Sequence, residues 1–271
     1  MILQKKLDLL KRIIGRYKSC IVAFSGGQDS ALLLKVCALT LAPDKFLAVT
    51  AVSQTYPKSE LVKAKKLAKD IGVELKVIRT QELSNKKFTA NPVKRCYFCK
   101  KELFLKLIKI AKQNKLNFVF EASNITDKGD YRPGSLAKAE LKIKSPLVEA
   151  GFTKIDICKL SKKLGLSSWN KPSLACLASR IPYGTKITAK LLRRINQAEE
   201  YINSLGFKQV RLRYYHEFCR IEVGKQDLNK LFNKRQQIVE RLKKFGFNYI
   251  TLDLEGYRTG SMNLVRNKAK R

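Results

Sequence analysis

The sequence predicts an α/β protein: a doubly wound parallel sheet followed by a small α+β domain. Three observations predict it. Apolar, β-branched runs alternate with helical patterns through the first half. One of those runs leads straight into a glycine loop and a helix near the N-terminus. After Thr188 the pattern changes to a helix, two close strands, a helix and a strand. Strands that alternate with helices pair in parallel, and such sheets bind ligands beyond the carboxyl ends of their strands.

The elements follow in order. In MILQKKLDLLKRIIGRYK, Leu3, Leu7, Leu10 and Ile14 fall on one helical face. The charges between them argue for an amphipathic helix rather than a signal peptide, which needs an unbroken apolar core. Cys20–Phe24 reads as a strand, Asp29–Leu41 as a helix, Phe46–Val52 as a strand and Lys58–Gly72 as a helix ending at a glycine. Val73–Arg79, Tyr97–Asn114 and Phe118–Glu121 continue the alternation as strand, helix and strand. Residues 80–95, 122–150 and 165–187 read as loop-rich, and long irregular stretches are commonly functional. Beyond them come a helix at Ala189–Leu205, strands at Gln209–Tyr214 and Cys219–Val223, a helix at Asp227–Phe245 and a strand at Tyr249–Leu254. The expected domains are residues 1–185 and 186–271.

Lys and Arg number 56 against 22 Asp and Glu, a formal charge of +34. That charge fits a polyanion such as tRNA. It equally fits lysines spread over solvated helix faces, and their dispersal from end to end favours the second reading. No run approaches the ~18 apolar residues of a membrane span. Seven cysteines, an odd number without secretory context, do not suggest a disulfide framework. A cytoplasmic protein is the expectation.

The segment IVAFSGGQDSALLL carries the most chemistry. Two glycines let the backbone approach phosphate oxygens, and amides of the loop and helix N-terminus point at the anion. Ser25, Gly26, Gly27 and Ser30 are the expected phosphate contacts, and Asp29 the expected Mg²⁺ ligand. A Walker-type loop is excluded, because no Gly-Lys-Ser/Thr follows. SGGQDS resembles the PP-loop of the ATP pyrophosphatases, whose fold is that of the adenine nucleotide alpha hydrolases. The resemblance implies cleavage of ATP between its α- and β-phosphates.

Further segments narrow the choice: NPVKRCYFCK (91–100), DYRPG (130–134), SPL (145–147), KPSLACLASRIPYG (171–184) and GYRTGSMN (256–263). Together they resemble, over nearly the whole chain, the ATP-dependent sacrificial sulfur transferases of the LarE family. That family makes the nickel-pincer nucleotide cofactor of lactate racemase. The resemblance implies that ATP adenylylates a carboxylate of a pyridinium dicarboxylate mononucleotide. A protein cysteine, here Cys176, then gives up its sulfur. A thiolate is the competent nucleophile, and Lys171 and Arg180 supply nearby positive charge. Taken alone, Cys176 between Ala175 and Leu177 would read as a small buried hydrophobe.

The resemblance also implies substrate contacts at Arg180, Arg211, Arg213 and Glu222, a base at Glu199, and metal contacts at Asp29, Asp127 and Asp227. Arg211 and Arg213 lie two apart on an expected strand and so share a face. A charged outer face of a half-buried strand is the alternative. Cys96 and Cys99 leave several readings open: structural cysteines at a helix start, a redox pair, a zinc site lacking ligands, or a cluster. Cys158 reads as incidental. The resemblance implies a homo-oligomer such as a hexamer and a small-molecule nucleotide substrate. The competing readings are a tRNA-thiolating PP-loop enzyme and a nucleotide-binding regulatory module.

Overall fold

The computed structural model describes residues 2–129, 133–171, 175–258 and 260–263. Asp130–Arg132, Pro172–Leu174 and Thr259, which belong to the segments singled out above, lie outside the described residues. The chain forms two compact units, Met1–Phe88 with Val93–Leu174, and Thr89–Pro92 with Ala175–Arg271.

The first unit alternates as its apolar pattern requires: α1 (Ile2–Tyr17), β1 (Cys20–Ala23), α2 (Gln28–Ala38), β2 (Phe46–Val52), α3 (Lys58–Ile71) and β3 (Leu75–Arg79). After the short α4 (Lys86–Thr89) come α5 (Arg95–Gln113), β4 (Phe118–Phe120), α6 (Gly134–Glu140), α7 (Pro146–Glu149) and α8 (Lys154–Lys163). The strands form a four-stranded parallel sheet in the order β3-β2-β1-β4. Successive side chains of β1 go to opposite faces. Cys20 and Val22 pack with Leu10, Ile14, Leu33 and Phe152, whereas Ile21 packs with Val49, Phe104, Leu107 and Val119. Helices therefore cover both faces, the doubly wound arrangement expected from the sequence.

The order places the topological switch point between β1 and β4. In open sheets of this kind the loops leaving the two strands diverge at that point, and ligands bind there.

The second unit holds α9 (Ala189–Ser204), β5 (Val210–Tyr215), β6 (Phe218–Val223), α10 (Leu228–Asn233), α11 (Arg235–Lys244) and β7 (Tyr249–Leu252). β5 and β6 are antiparallel and β7 joins β6 in parallel. The expected helix over Asp227–Phe245 is broken at Lys234. Leu231, Ile238 and Leu242 are buried at spacings of seven and four, so the apolar stripe runs on through the break, where Lys234 N–H turns to Leu231 O (3.0 Å) in a three-residue step.

The expected division at residue 185 also differs from the observed one. The second unit starts at Ala175 and takes in the distant strap Thr89–Pro92. Asn91 explains the strap. It is fully buried at φ 55°, and its amide donates to the carbonyls of Ile181, Pro182 (2.6 Å) and Thr185 (3.0 Å).

Candidate active site

The loop after β1 is built from small groups that satisfy one another. Ser25 N–H donates to Ser30 Oγ (3.3 Å), Gly27 N–H donates to Ser25 Oγ (3.3 Å), and the Ser30 hydroxyl donates to Gly27 O (3.0 Å). Gly26 has φ 70°, and a Cβ there would lie 2.8 Å from Ala64 Cβ. Only glycine fits, on backbone conformation and on space. Behind the loop, Tyr56 donates its hydroxyl to Ser25 O (3.0 Å). Burial, with the charge of Glu60, pushes this phenol well above its ordinary range, so it stays a donor.

Lys171 ties Gly26 O (3.1 Å) to Glu60 (2.7 Å). Burial alone would raise the Glu60 carboxyl, but Lys171 and Lys63 more than offset this and hold it below its usual value. Ala31 N–H is the first to find an acceptor in α2, on Gly27 O. The amides of Gln28, Asp29 and Ser30 are thus the orphan donors of a helix N-terminus, aimed where an anion would sit.

Asp29 stands at the edge of this cradle. Lys154 Nζ donates to its Oδ1, and Asn124 Nδ2 donates to its Oδ2 (3.3 Å). Asn124 N–H donates to Asp127 Oδ2 (3.1 Å), so one residue links both expected acids of this unit. Mg²⁺ on a nucleotide needs only one or two carboxylates, because phosphates and water fill its octahedron. Two acids astride Asn124, one already facing an ammonium, fit that ion. Among the described residues no three His, Cys, Asp or Glu side chains gather as a metal site of their own.

In the second unit, buried charges meet on one sheet face. Arg211 pairs with Glu222 and Arg213 with Arg220 across the β5–β6 ladder. Arg213 Nη2 donates to Glu222 Oε2 (2.8 Å) and to Ser261 Oγ (3.1 Å), and Arg220 Nη2 donates to Glu222 Oε1 (2.9 Å). Glu222 is wholly buried and Arg213 is 5% exposed, so this is not a solvated outer face. Burial, reinforced by Arg180, lowers the Arg211 guanidinium from its ordinary value.

Beside them, Arg180 grips Glu199 with two parallel bonds of 2.9 Å. Its Nη1 donates to Ala175 O (2.7 Å) and Cys176 O (3.0 Å). Glu199 Oε1 also accepts Leu212 N–H (2.9 Å). Cys176 itself is exposed.

Residues 2–101 match the NAD synthase family. An uncharacterized protein of Synechocystis sp. is 39% identical over 268 residues, 98% of this chain and all of that protein. The pyridinium-3,5-bisthiocarboxylic acid mononucleotide synthase of Lactiplantibacillus plantarum is 36% identical over 249 residues, 92% of this chain and 90% of that protein. The chain belongs to the LarE family. It is also 30% identical over 263 residues to an uncharacterized protein of Methanocaldococcus jannaschii. As a LarE-family chain it is an enzyme with an ATP pyrophosphatase-type nucleotide domain.

Within this LarE-family framework, several expected site residues already have partners in the chain. Arg180, an expected substrate contact, is 3% exposed and donates to Glu199 and to the carbonyls of residues 175 and 176. Glu199, the expected base, accepts from Arg180 with both its oxygens. The pair is a clamp on the Cys176 segment.

Lys171 serves the phosphate loop, and Asp227 is the residue that precedes α10. Cys96 is exposed in the first turn of α5, and the Cys99 thiol lies 3.9 Å from Glu82 Oε1. The Cys158 thiol donates to Trp169 O (3.4 Å). No helix among the described residues is long and apolar enough to cross a membrane. Sequence reading missed Lys154, although Thr153-Lys-Ile-Asp156 spells a capping box that announces a helix start there.

Proposed function

We propose that this enzyme sulfurates a pyridinium dicarboxylate mononucleotide at the expense of its own Cys176. A ring carboxylate oxygen attacks the α-phosphorus of ATP, pyrophosphate leaves, and an acyl adenylate forms. The Cys176 thiolate attacks the acyl carbon and AMP departs, giving a thioester. Loss of the Cys176 Cα proton then breaks the Cβ–S bond. The thiocarboxylate leaves and dehydroalanine remains in the chain.

The similarity to the bisthiocarboxylic acid mononucleotide synthase carries this reading. An exposed Cys176 whose carbonyl is fixed by the buried Arg180–Glu199 pair supports it. The amides of Gln28–Ser30 and the hydroxyls of Ser25 and Ser30 bind phosphates. Asp29 and Asp127 would hold Mg²⁺, which screens phosphate charge when bound. Arg211 and Arg213 take the substrate phosphate, which competes with Glu222 for the guanidinium of Arg213. Asp227, just before α10 in the second unit, is the remaining contact for an ion. The enzyme works in the cytoplasm as a homo-oligomer.

Intact mass after incubation with ATP, Mg²⁺ and the dicarboxylate nucleotide tests the reading. The protein should lose about 34 Da, the atoms of H₂S, once per chain. Cys176→Ser should still release pyrophosphate but give no sulfurated product. An unchanged mass through many turnovers would sink the proposal.

A further inference from the structure

The phosphate loop is flanked by two ammonium groups, and they are held differently. Lys171 is fixed between Gly26 O and Glu60 and acts as a strut for the loop. Lys154 is held at its base. Its N–H donates to Thr126 Oγ1 (3.1 Å), and it is the first residue of α8. The Thr153–Asp156 capping box fixes that helix start, and Lys6 secures Asp156 at 2.6 Å. From this anchored point a four-carbon stem, flexible in itself, carries Nζ to Asp29 Oδ1. The pair is partly open to solvent, with 36% of the Lys154 side chain and 25% of that of Asp29 exposed. It sits at the switch point, where the β1 and β4 loops part.

An acid inside an anion-binding loop repels the triphosphate it serves. Lys154 cancels that charge while no nucleotide is bound. Asp29 would hold a divalent cation that accompanies the nucleotide, and the Lys154 ammonium would then stand without that partner beside a strongly anionic ligand.

We propose that Lys154 is a catalytic residue of the adenylylation step, moving from Asp29 to the oxygens of the departing pyrophosphate. This rests on the reading of the loop as an ATP site. In the step, an oxygen of the carboxylate bonds to the α-phosphorus and the bond from that phosphorus to the bridging oxygen breaks. The electron pair stays on the bridging oxygen, which becomes part of pyrophosphate. No proton moves, so the barrier falls chiefly by placing positive charge where this negative charge grows. A lysine on a swinging stem, with its backbone fixed, supplies that charge.

The test compares full-length wild type, Lys154→Ala and Lys154→Arg, with folding checked by circular dichroism. Binding of inorganic pyrophosphate with Mg²⁺ is measured by calorimetry, beside substrate-dependent pyrophosphate release. Lys154→Ala should weaken pyrophosphate binding about tenfold, in the range of one charge-assisted contact. It should slow release on the order of a hundredfold while AMP binding holds, and Lys154→Arg should recover part of both. Pyrophosphate binding to Lys154→Ala as tight as wild type, or an arginine variant as poor as alanine in both assays, would overturn the assignment. If wild type releases no pyrophosphate with the dicarboxylate nucleotide, the functional reading fails. The calorimetry still decides whether Lys154 holds phosphate.

Discussion

The two units handle negative charge in opposite ways. The loop of the first unit is made of backbone amides, two serine hydroxyls and two glycines, with its acid at the rim. Its helix N-terminus leaves donors unspent for a ligand. The second unit brings full charges together and pairs them before any ligand arrives: Arg180 with Glu199, and Arg213 and Arg220 with Glu222. An anion reaching the first finds open donors. An anion reaching the second must compete with a buried carboxylate. A neutral cradle suits a substrate that enters and leaves as ATP and AMP. A pre-paired network suits a site whose geometry is fixed before its ligand arrives.

Breaking the pairing tests that contrast most severely. Glu222→Ala leaves the buried Arg213 and the half-buried Arg220 without their shared carboxylate. Stability should fall by about 3–5 kcal/mol, the usual cost of stripping one partner from a buried ion pair. Urea unfolding monitored by circular dichroism reads it, and a loss below about 1 kcal/mol, typical of exposed pairs, would mean that solvent already screens the network.

The matching test in the first unit is Gly26→Ala. It places a Cβ 2.8 Å from Ala64 Cβ at a positive φ. Substrate-dependent pyrophosphate release should drop on the order of a hundredfold, about 2.7 kcal/mol of transition-state stabilisation. Binding of the dicarboxylate nucleotide should change little. If Ala64→Gly in the same chain restores none of the activity, backbone conformation rather than the contact dominates the loss.

The first site was legible because it is contiguous. Ser25 to Ser30 stand side by side, and the strand before and helix after them are dictated by local apolar pattern. The second is scattered over residues 180, 199, 213, 222 and 261, which only the β5–β6 register and the packing of α9 bring together. Pattern alone put Arg211 and Arg213 on one strand face but did not show that Glu222 beneath them is wholly buried. Nor did it show that Arg180 and Glu199 satisfy each other, since that pairing joins a turn to the middle of a helix. The short α6 and α7 hid within a stretch that read as loop, for seven and four residues give little periodicity.

The smallest effect belongs to Thr153→Ala, which removes the hydroxyl that accepts Asp156 N–H at the start of α8. About 1 kcal/mol of stability should go with the cap. If Lys154 draws its reach from this anchored helix start, pyrophosphate release should slow as well. A variant destabilised by that amount with unchanged release would show that the stem alone aims the ammonium.

The strap at Thr89–Pro92 has a consequence for modularity. The polypeptide passes between the two units at residues 88, 92 and 174, so no single cut separates them. A fragment beginning at Ala175 lacks the buried Asn91 amide that gathers the carbonyls of Ile181, Pro182 and Thr185. Any transplant of the C-terminal unit onto another nucleotide domain has to bring this tetrapeptide with it, from more than eighty residues upstream. The two functions are thus spliced into one reading frame rather than joined end to end, and recombination at one junction cannot exchange either of them intact.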